Sequence, residues 1–219
     1  MLAPESLGHI ACWTGVTVTE ETIDAVPRGE CVPTADHRVV MSGLSWIDFE
    51  SFLALRGADA AGPRVTYLKG TLELMSPSHD HEVIKKRLAA IFEAYLDHLG
   101  IRYQGVGSWL LKHAPSEIGL EPDECYILHD IEKNRPDLAL EVVWTSGGID
   151  KLDVYRRLGV PEVWYWADAA LTFYVLEPHG YEVREASLCV PTFDKAVVGE
   201  MLALEAFSDV RRALRQRFG

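Results

Sequence analysis

The stretch Pro136-Asp-Leu-Ala-Leu-Glu-Val-Val-Trp144, followed by Gly147-Gly148, Ile149-Asp-Lys-Leu-Asp-Val-Tyr-Arg-Arg-Leu158, Gly159 and Glu162-Val-Trp-Tyr-Trp166, decides how this chain folds. The first segment is an apolar run of strand length, and the glycine pair then opens a helix over 149–158 that Gly159 closes. The last segment is a second strand. Two strands joined through a helix form a right-handed parallel crossover. That requires a sheet with helices on its faces, in the α/β or α+β class.

The pattern continues outward on both sides. Ser45 caps a short helix that ends near Gly57. Arg64–Leu68 and Thr71–Met75, joined through Lys69-Gly70, form a hairpin. Pro77-Ser78 opens the longest helix, His79–Leu99, whose apolar residues 84, 88, 91, 92, 95, 96 and 99 make one stripe before Gly100. Strands are predicted at Tyr103–Lys112 and Leu120–Leu128, and a meander at Leu171–Glu177 and Tyr181–Glu185. A final helix spans Phe207–Phe218. Residues 1–40 lack a period and contain Pro4, Pro27 and Pro33, so they are expected to be an irregular lead-in to a single domain at 41–219.

Composition narrows the function classes. No apolar run approaches the ~20 residues of a membrane span, and Met1–Ile10 lacks the pattern of a signal peptide. Four dispersed cysteines point to reduced thiols in a cytoplasm rather than to a disulfide framework. The net charge of −12 argues against a surface coated in basic residues. Half of it comes from residues 1–50, where eight acids meet two bases, while the last helix carries Arg211, Arg212, Arg215 and Arg217. Local basic patches therefore remain compatible with the overall charge.

Glu141 stands inside an apolar strand, where an ionised carboxylate is costly unless it is paired or holds a cation. The alternative is an edge strand with Glu141 in water. Asp137 shares its face but lies ~13 Å along the strand. Asp123 belongs to the preceding strand, and facing residues of paired strands approach to ~5 Å. Oxygen ligands from Asp123 and Glu141 would then meet on one Mg²⁺ or Mn²⁺. Pro122 cannot donate a ladder hydrogen bond, so an edge or bulge is expected beside Asp123. Lys151 aligns with Tyr155 and Leu158 on the helix face that leans toward the sheet. A lysine there either snorkels to solvent or orients a reacting group beside the carboxylates. His81 and Glu82 open the long helix, either as N-terminal decoration or as accessory site residues. His79-x-His81 lacks further ligands for zinc, and Cys125 lacks the partners of a nucleophile.

Five segments in order resemble one known family: Leu72-Glu-Leu-Met-Ser-Pro-Ser78, His81-Glu-Val-Ile84, Gly119-Leu-Glu-Pro-Asp-Glu124, Pro136–Glu141 and Asp150–Trp164. They are similar to the restriction-endonuclease-like family Uma-two of the PD-(D/E)XK nuclease superfamily, over about Leu44 to Glu185. The resemblance implies a PD-(D/E)XK core with a central mixed sheet flanked by helices. It also implies a Mg²⁺- or Mn²⁺-dependent endonuclease that cleaves nucleic acid, DNA first, by metal-activated water. Asp123, Glu141 and Lys151 would be catalytic, and the ion would be held by Asp123, Glu141 and the main-chain carbonyl of Val142. The superfamily lysine would fall at Val143, and Lys151 on the next helix takes its place. Many such cores dimerise so that two sites address two strands, and a homodimer is one expectation. The alternative is a catalytically weak or inactive nuclease-fold module that binds nucleic acid or protein, which Val143 and the acidic surface favour.

Overall fold

A computed structural model of the protein describes residues 17–18, 35–57, 62–143 and 148–219. Its elements run β1 (Thr17–Val18), β2 (His37–Ser42), α1 (Trp46–Arg56), β3 (Arg64–Leu68), β4 (Thr71–Ser76), α2 (His79–Leu99), β5 (Tyr103–Gly105), β6 (Leu111–His113), β7 (Ile118–Leu120) and β8 (Glu124–Leu128). They continue with β9 (Leu138–Val142), α3 (Lys151–Leu158), β10 (Glu162–Ala167), β11 (Ala170–Glu177), β12 (Gly180–Arg184), α4 (Ala196–Leu202) and α5 (Phe207–Phe218). No helix among the described residues is long and apolar enough to cross a membrane.

The strands form two six-stranded sheets. The first, in order β1-β2-β4-β3-β7-β6, is antiparallel throughout. The second, β12-β11-β10-β9-β8-β5, is mixed: β9 and β10 are parallel, as the crossover requires, and the other pairs are antiparallel. This is the α/β class with a mixed sheet flanked by helices. Leu138, Leu140 and Val142 of β9 pack with Leu88, Phe92 and Leu96 of α2 and with Val210 and Leu214 of α5. Ala139 joins Val154 and Tyr155 of α3 and Leu120 of β7 on the opposite face. All of β9 is therefore buried, and the reading of Glu141 on a solvent-facing edge falls away.

Local chemistry sets most boundaries. Ser45 and Asp48 form a reciprocal capping box at α1. Lys69 and Gly70 both adopt positive φ (43° and 94°) in the β3–β4 turn, the requirement of a two-residue type I′ hairpin. Ser78 caps α2, and Gly100 ends it in the left-handed conformation.

Three expectations need correction. The strands expected at Tyr103–Lys112 and Leu120–Leu128 are each two strands in different sheets: β5 and β6, and β7 and β8. The second break falls at Pro122, which has no N–H for a ladder, so the chain leaves one sheet at Leu120 and enters the other at Glu124. Residues 1–40 are not irregular up to their end: His37–Val40 lie in β2, paired residue by residue with β4. Finally, α4 carried no periodic signal of its own. Its C-terminal end is held by Arg87 of α2, which donates to the carbonyls of Leu202 (3.1 Å), Leu204 (2.7 Å) and Glu205 (2.7 Å). Trp144 and Gly147 of the predicted strand and turn lie outside the described residues.

Asp36, just before β2, accepts from the Ser78 amide at 2.8 Å and meets the His81 ring. The boundary for an independent domain should accordingly precede it. A chain starting at residue 34 should express in soluble form with a cooperative thermal transition. A chain starting at residue 41 should aggregate or melt several degrees lower, because it uncovers the β4 edge. Indistinguishable melting of the two chains would refute this.

Candidate active site

Asp123 and Glu141 are brought together by the sheet register. Cys125 faces Ala139 and Glu124 faces Leu140, so the next pair outward is Asp123 and Glu141. The Val142 N–H donates to Asp123 Oδ2 at 2.8 Å, which fixes the carboxylate against β9. Asp137 sits at the other end of β9, accepting from the Leu128 N–H at 2.7 Å and from Lys133 at 2.8 Å. It closes the strand entry and takes no part in the cluster.

Each carboxylate oxygen meets a protein donor. Arg64, which heads β3, donates to Asp123 Oδ1. His81 Nε2 lies 3.0 Å from Asp123 Oδ2, although off the line of a good hydrogen bond. The other ring nitrogen, Nδ1, is 3.1 Å from Asp36. Lys151 Nζ donates to Glu141 Oε2 at 2.6 Å, and the Tyr155 hydroxyl donates to Oε1. Glu82 bridges outward, with Oε1 3.2 Å from Arg64 and Oε2 2.6 Å from Lys85. Asp123 and Glu141 are almost completely buried, whereas the Lys151 side chain keeps 15% of its surface in solvent and Glu82 keeps 43%.

These surroundings separate the two acids. Burial alone would raise Asp123, but His81, Arg64 and Lys151 overcome it and hold the carboxyl well below the usual carboxylate range. Glu141 goes the other way: burial and the neighbouring Asp123 charge push it up, against the pull of Lys151 and Tyr155. Burial would lower the Lys151 ammonium, yet Glu141 and Asp123 keep it above its ordinary value. The His81 ring is likewise desolvated, but the Asp123 and Asp36 carboxylates beside it raise it to about 9. The centre is thus a buried network of alternating charge, in which two adjacent carboxyls are driven apart in acidity. Cys125 lies close by in sequence, but burial pushes its thiol up to about 12, so it supplies no thiolate.

Arg64, Asp36, Glu73 and Tyr155 belong to this cluster but carried no site assignment in the sequence. Arg64 and Asp36 reach their partners across sequence separations of 59 and 45 residues, and nothing local marks them. Glu73 did carry a signal. It stands in the apolar strand Leu72-Glu-Leu-Met as Glu141 does in β9, and it is equally buried. Its Oε2 accepts from the Ile149 N–H at 3.0 Å, and its charge acts on Lys151. Gly148 gives it room: a Cβ there would come 1.8 Å from Glu73 Oε2, and the backbone holds φ at +92°.

Comparison with known families matches residues 49–207 to Uma2 (Uma-two), described as "Putative restriction endonuclease". The chain belongs to this family. Among curated proteins, no match is found. At the level of the family, membership supports a nuclease of the restriction-endonuclease-like fold and suggests nucleic acid as what it engages.

The donor chemistry suits a hard divalent cation. Asp123, Glu141 and the Val142 carbonyl would offer oxygen donors on adjoining positions, and Mg²⁺ commonly takes one or two carboxylates and completes its octahedron with water and phosphate. Among the described residues no three His, Cys, Asp or Glu side chains converge into a cage for an ion. Any ion would be bound on that open plan, displacing the Arg64 or Lys151 donors.

The ion network makes a stability prediction. Arg64→Met leaves Asp123 buried beside a partner lost, which should destabilise the protein by about 3–5 kcal/mol in urea unfolding with EDTA. Combining it with Asp123→Asn should lose clearly less than the sum of the two single changes, a coupling expected for residues in contact. Additive losses would show that the pair is not a linked unit.

Proposed function

We propose that the chain is a Mg²⁺- or Mn²⁺-dependent endonuclease that hydrolyses phosphodiester bonds in nucleic acid, DNA being the expected substrate. The observation that carries this reading is the buried Asp123–Glu141 pair on neighbouring strands, with the Lys151 ammonium 2.6 Å from Glu141. Asp123, Glu141 and the Val142 carbonyl would hold the ion, which when bound neutralises charge and makes a coordinated water more acidic.

The chain's own groups divide the remaining work. Lys151, like Arg64, keeps part of its side chain in solvent. From there it can orient the attacking water or donate to the phosphoryl oxygens as their charge grows. Tyr155 fixes the Glu141 carboxylate from the buried side, so it acts as a positioning residue. His81, held between Asp36 and Asp123, does the same for Asp123. Glu82 acts through Arg64 and Lys85 at the rim. Lys151 stands on a helix, and the apolar Val143 just after β9 carries no such group.

A second reading has one observation in its favour. Every oxygen of Asp123 and Glu141 already meets a protein donor, so the cluster is neutralised without an ion. A nuclease-fold module that binds nucleic acid or protein without cleaving it would keep such a centre for stability.

A panel of single-stranded, duplex and RNA substrates with Mg²⁺, Mn²⁺ or EDTA separates the two. The nuclease reading expects cleavage that EDTA abolishes. Lys151→Ala should still fold, with a lowered melting temperature because Glu141 loses its buried partner, and lose roughly two orders of magnitude or more in rate, the scale of one transition-state donor. Lys151→Arg should recover little, because a planar guanidinium does not replace a compact point charge. Parent-like cleavage by Lys151→Ala would remove the lysine from the mechanism, and no cleavage of any substrate by the parent would favour the binding module.

A further inference from the structure

A groove of about 680 Å³ runs between α2 and α5 and ends beside the candidate active site, with Glu82 and Glu124 at that end. Its volume falls within the roughly 300–1,000 Å³ range of ligand sites. The four arginines of α5 divide sharply around it. Arg212 pairs with Asp209 at 2.8 Å and Arg217 with Glu200 at 2.5 Å, and neither lines the groove. Arg211 and Arg215, one helical turn apart, do line it, as does Lys86 on the facing helix. Among the described residues none of these three cations has a carboxylate within ion-pair distance. Lys86 instead sits 5.9 Å over the Phe207 ring. Arg211 acts on Glu93 only through space.

Four acids line the groove as well. Glu82 is held by Arg64 and Lys85, and Glu93 accepts from the Tyr126 hydroxyl at 3.3 Å. Asp97 and Glu124 complete the set. In a chain of net charge −12, three cations left unpaired along one groove are the arrangement that phosphates would complete. Tyr103, Phe207 and Phe218 stand half-buried along the same groove. Aromatic faces engage bases that are unstacked, and a duplex keeps its bases stacked inside.

We propose that the α2–α5 groove is the path of a single nucleic-acid strand, its phosphates on Lys86, Arg211 and Arg215 and its bases against Tyr103, Phe207 and Phe218, leading toward the Asp123–Glu141 centre. This rests on the nuclease reading for its purpose but not for its test. The groove explains how an acidic protein holds a polyanion: the affinity is local, and the surrounding acidic surface restricts binding to that line.

The test is fluorescence anisotropy of labelled dT20 and of a 20-base-pair duplex with the full chain in EDTA, across a salt series. The parent should prefer dT20. Arg211→Ala/Arg215→Ala should weaken dT20 binding about tenfold or more near 0.1 M salt and flatten the salt slope by roughly 1.4, about 0.7 for each lost phosphate contact. Arg212→Ala/Arg217→Ala removes the same charge from the same helix and should bind nearly as the parent does. If the groove pair fails to fold by circular dichroism, Lys86→Glu on the opposite wall should likewise weaken dT20 binding, with the salt slope flattened by about 0.7 for its one contact. Equal weakening by both arginine pairs, a preference for duplex, or no binding of dT20 by the parent would overturn the proposal. Arginine-dependent dT20 binding without cleavage in Mg²⁺ or Mn²⁺ would uphold the groove and reject the nuclease reading. Cleavage with dT20 affinity indifferent to Arg211 and Arg215 would do the reverse.

Discussion

Two carboxylates share one buried point in this protein, and much of the architecture exists to make that tolerable. Removing an ion from water costs several kcal/mol even after the protein relaxes around it. Asp123 and Glu141 are both buried to about 1% exposure. They are held there by cations and donors from four separate elements: Arg64 of β3, His81 of α2, the β9 backbone, and Lys151 with Tyr155 of α3. The first sheet, the long helix and the crossover helix are thereby tied to the same place in the second sheet. The cluster thus joins two sheets and two helices through charge.

The chain path supports this economy. Pro122 interrupts the ladder just where the strand passes from one sheet to the other, and Asp123 follows it at the seam. A residue at such a break is free of the pleat and can turn its side chain across to β9. Glu141 comes from the opposite direction, at the C-terminal half of a strand covered on both faces. Gly148 lets the following loop lie against Glu73, and Asp150 then caps α3 so that its first residue, Lys151, points back at Glu141.

Much of the fold could be read from local pattern. The capping Ser45, the Lys69-Gly70 turn, the α2 stripe ending at Gly100 and the crossover from β9 through α3 to β10 all carry their signals within a few residues. Strand parity and spacing also singled out Asp123 over Asp137 as the neighbour of Glu141, and the register places them so. The division into two sheets was not legible, because alternation shows that a strand has an inner face without showing which sheet it joins. Arg64 and Asp36 were missed for a related reason: their significance lies in partners 59 and 45 residues away. Asp36 was further obscured by a proline-rich lead-in. Glu73 differs, since it offered the same anomaly as Glu141, a carboxylate in an apolar strand, and that argument applied twice would have found it.

The account stands on the claim that this neutralised cluster is an ion site whose internal cations yield to a divalent one. Calorimetric titration of Mn²⁺ into the full chain addresses it without reference to any substrate. One saturable site is predicted, lost in Asp123→Asn while circular dichroism and the melting transition show the fold retained. Absence of saturable binding to the parent, or binding unchanged by Asp123→Asn, would contradict the claim and leave Asp123 and Glu141 as a structural salt-bridge network.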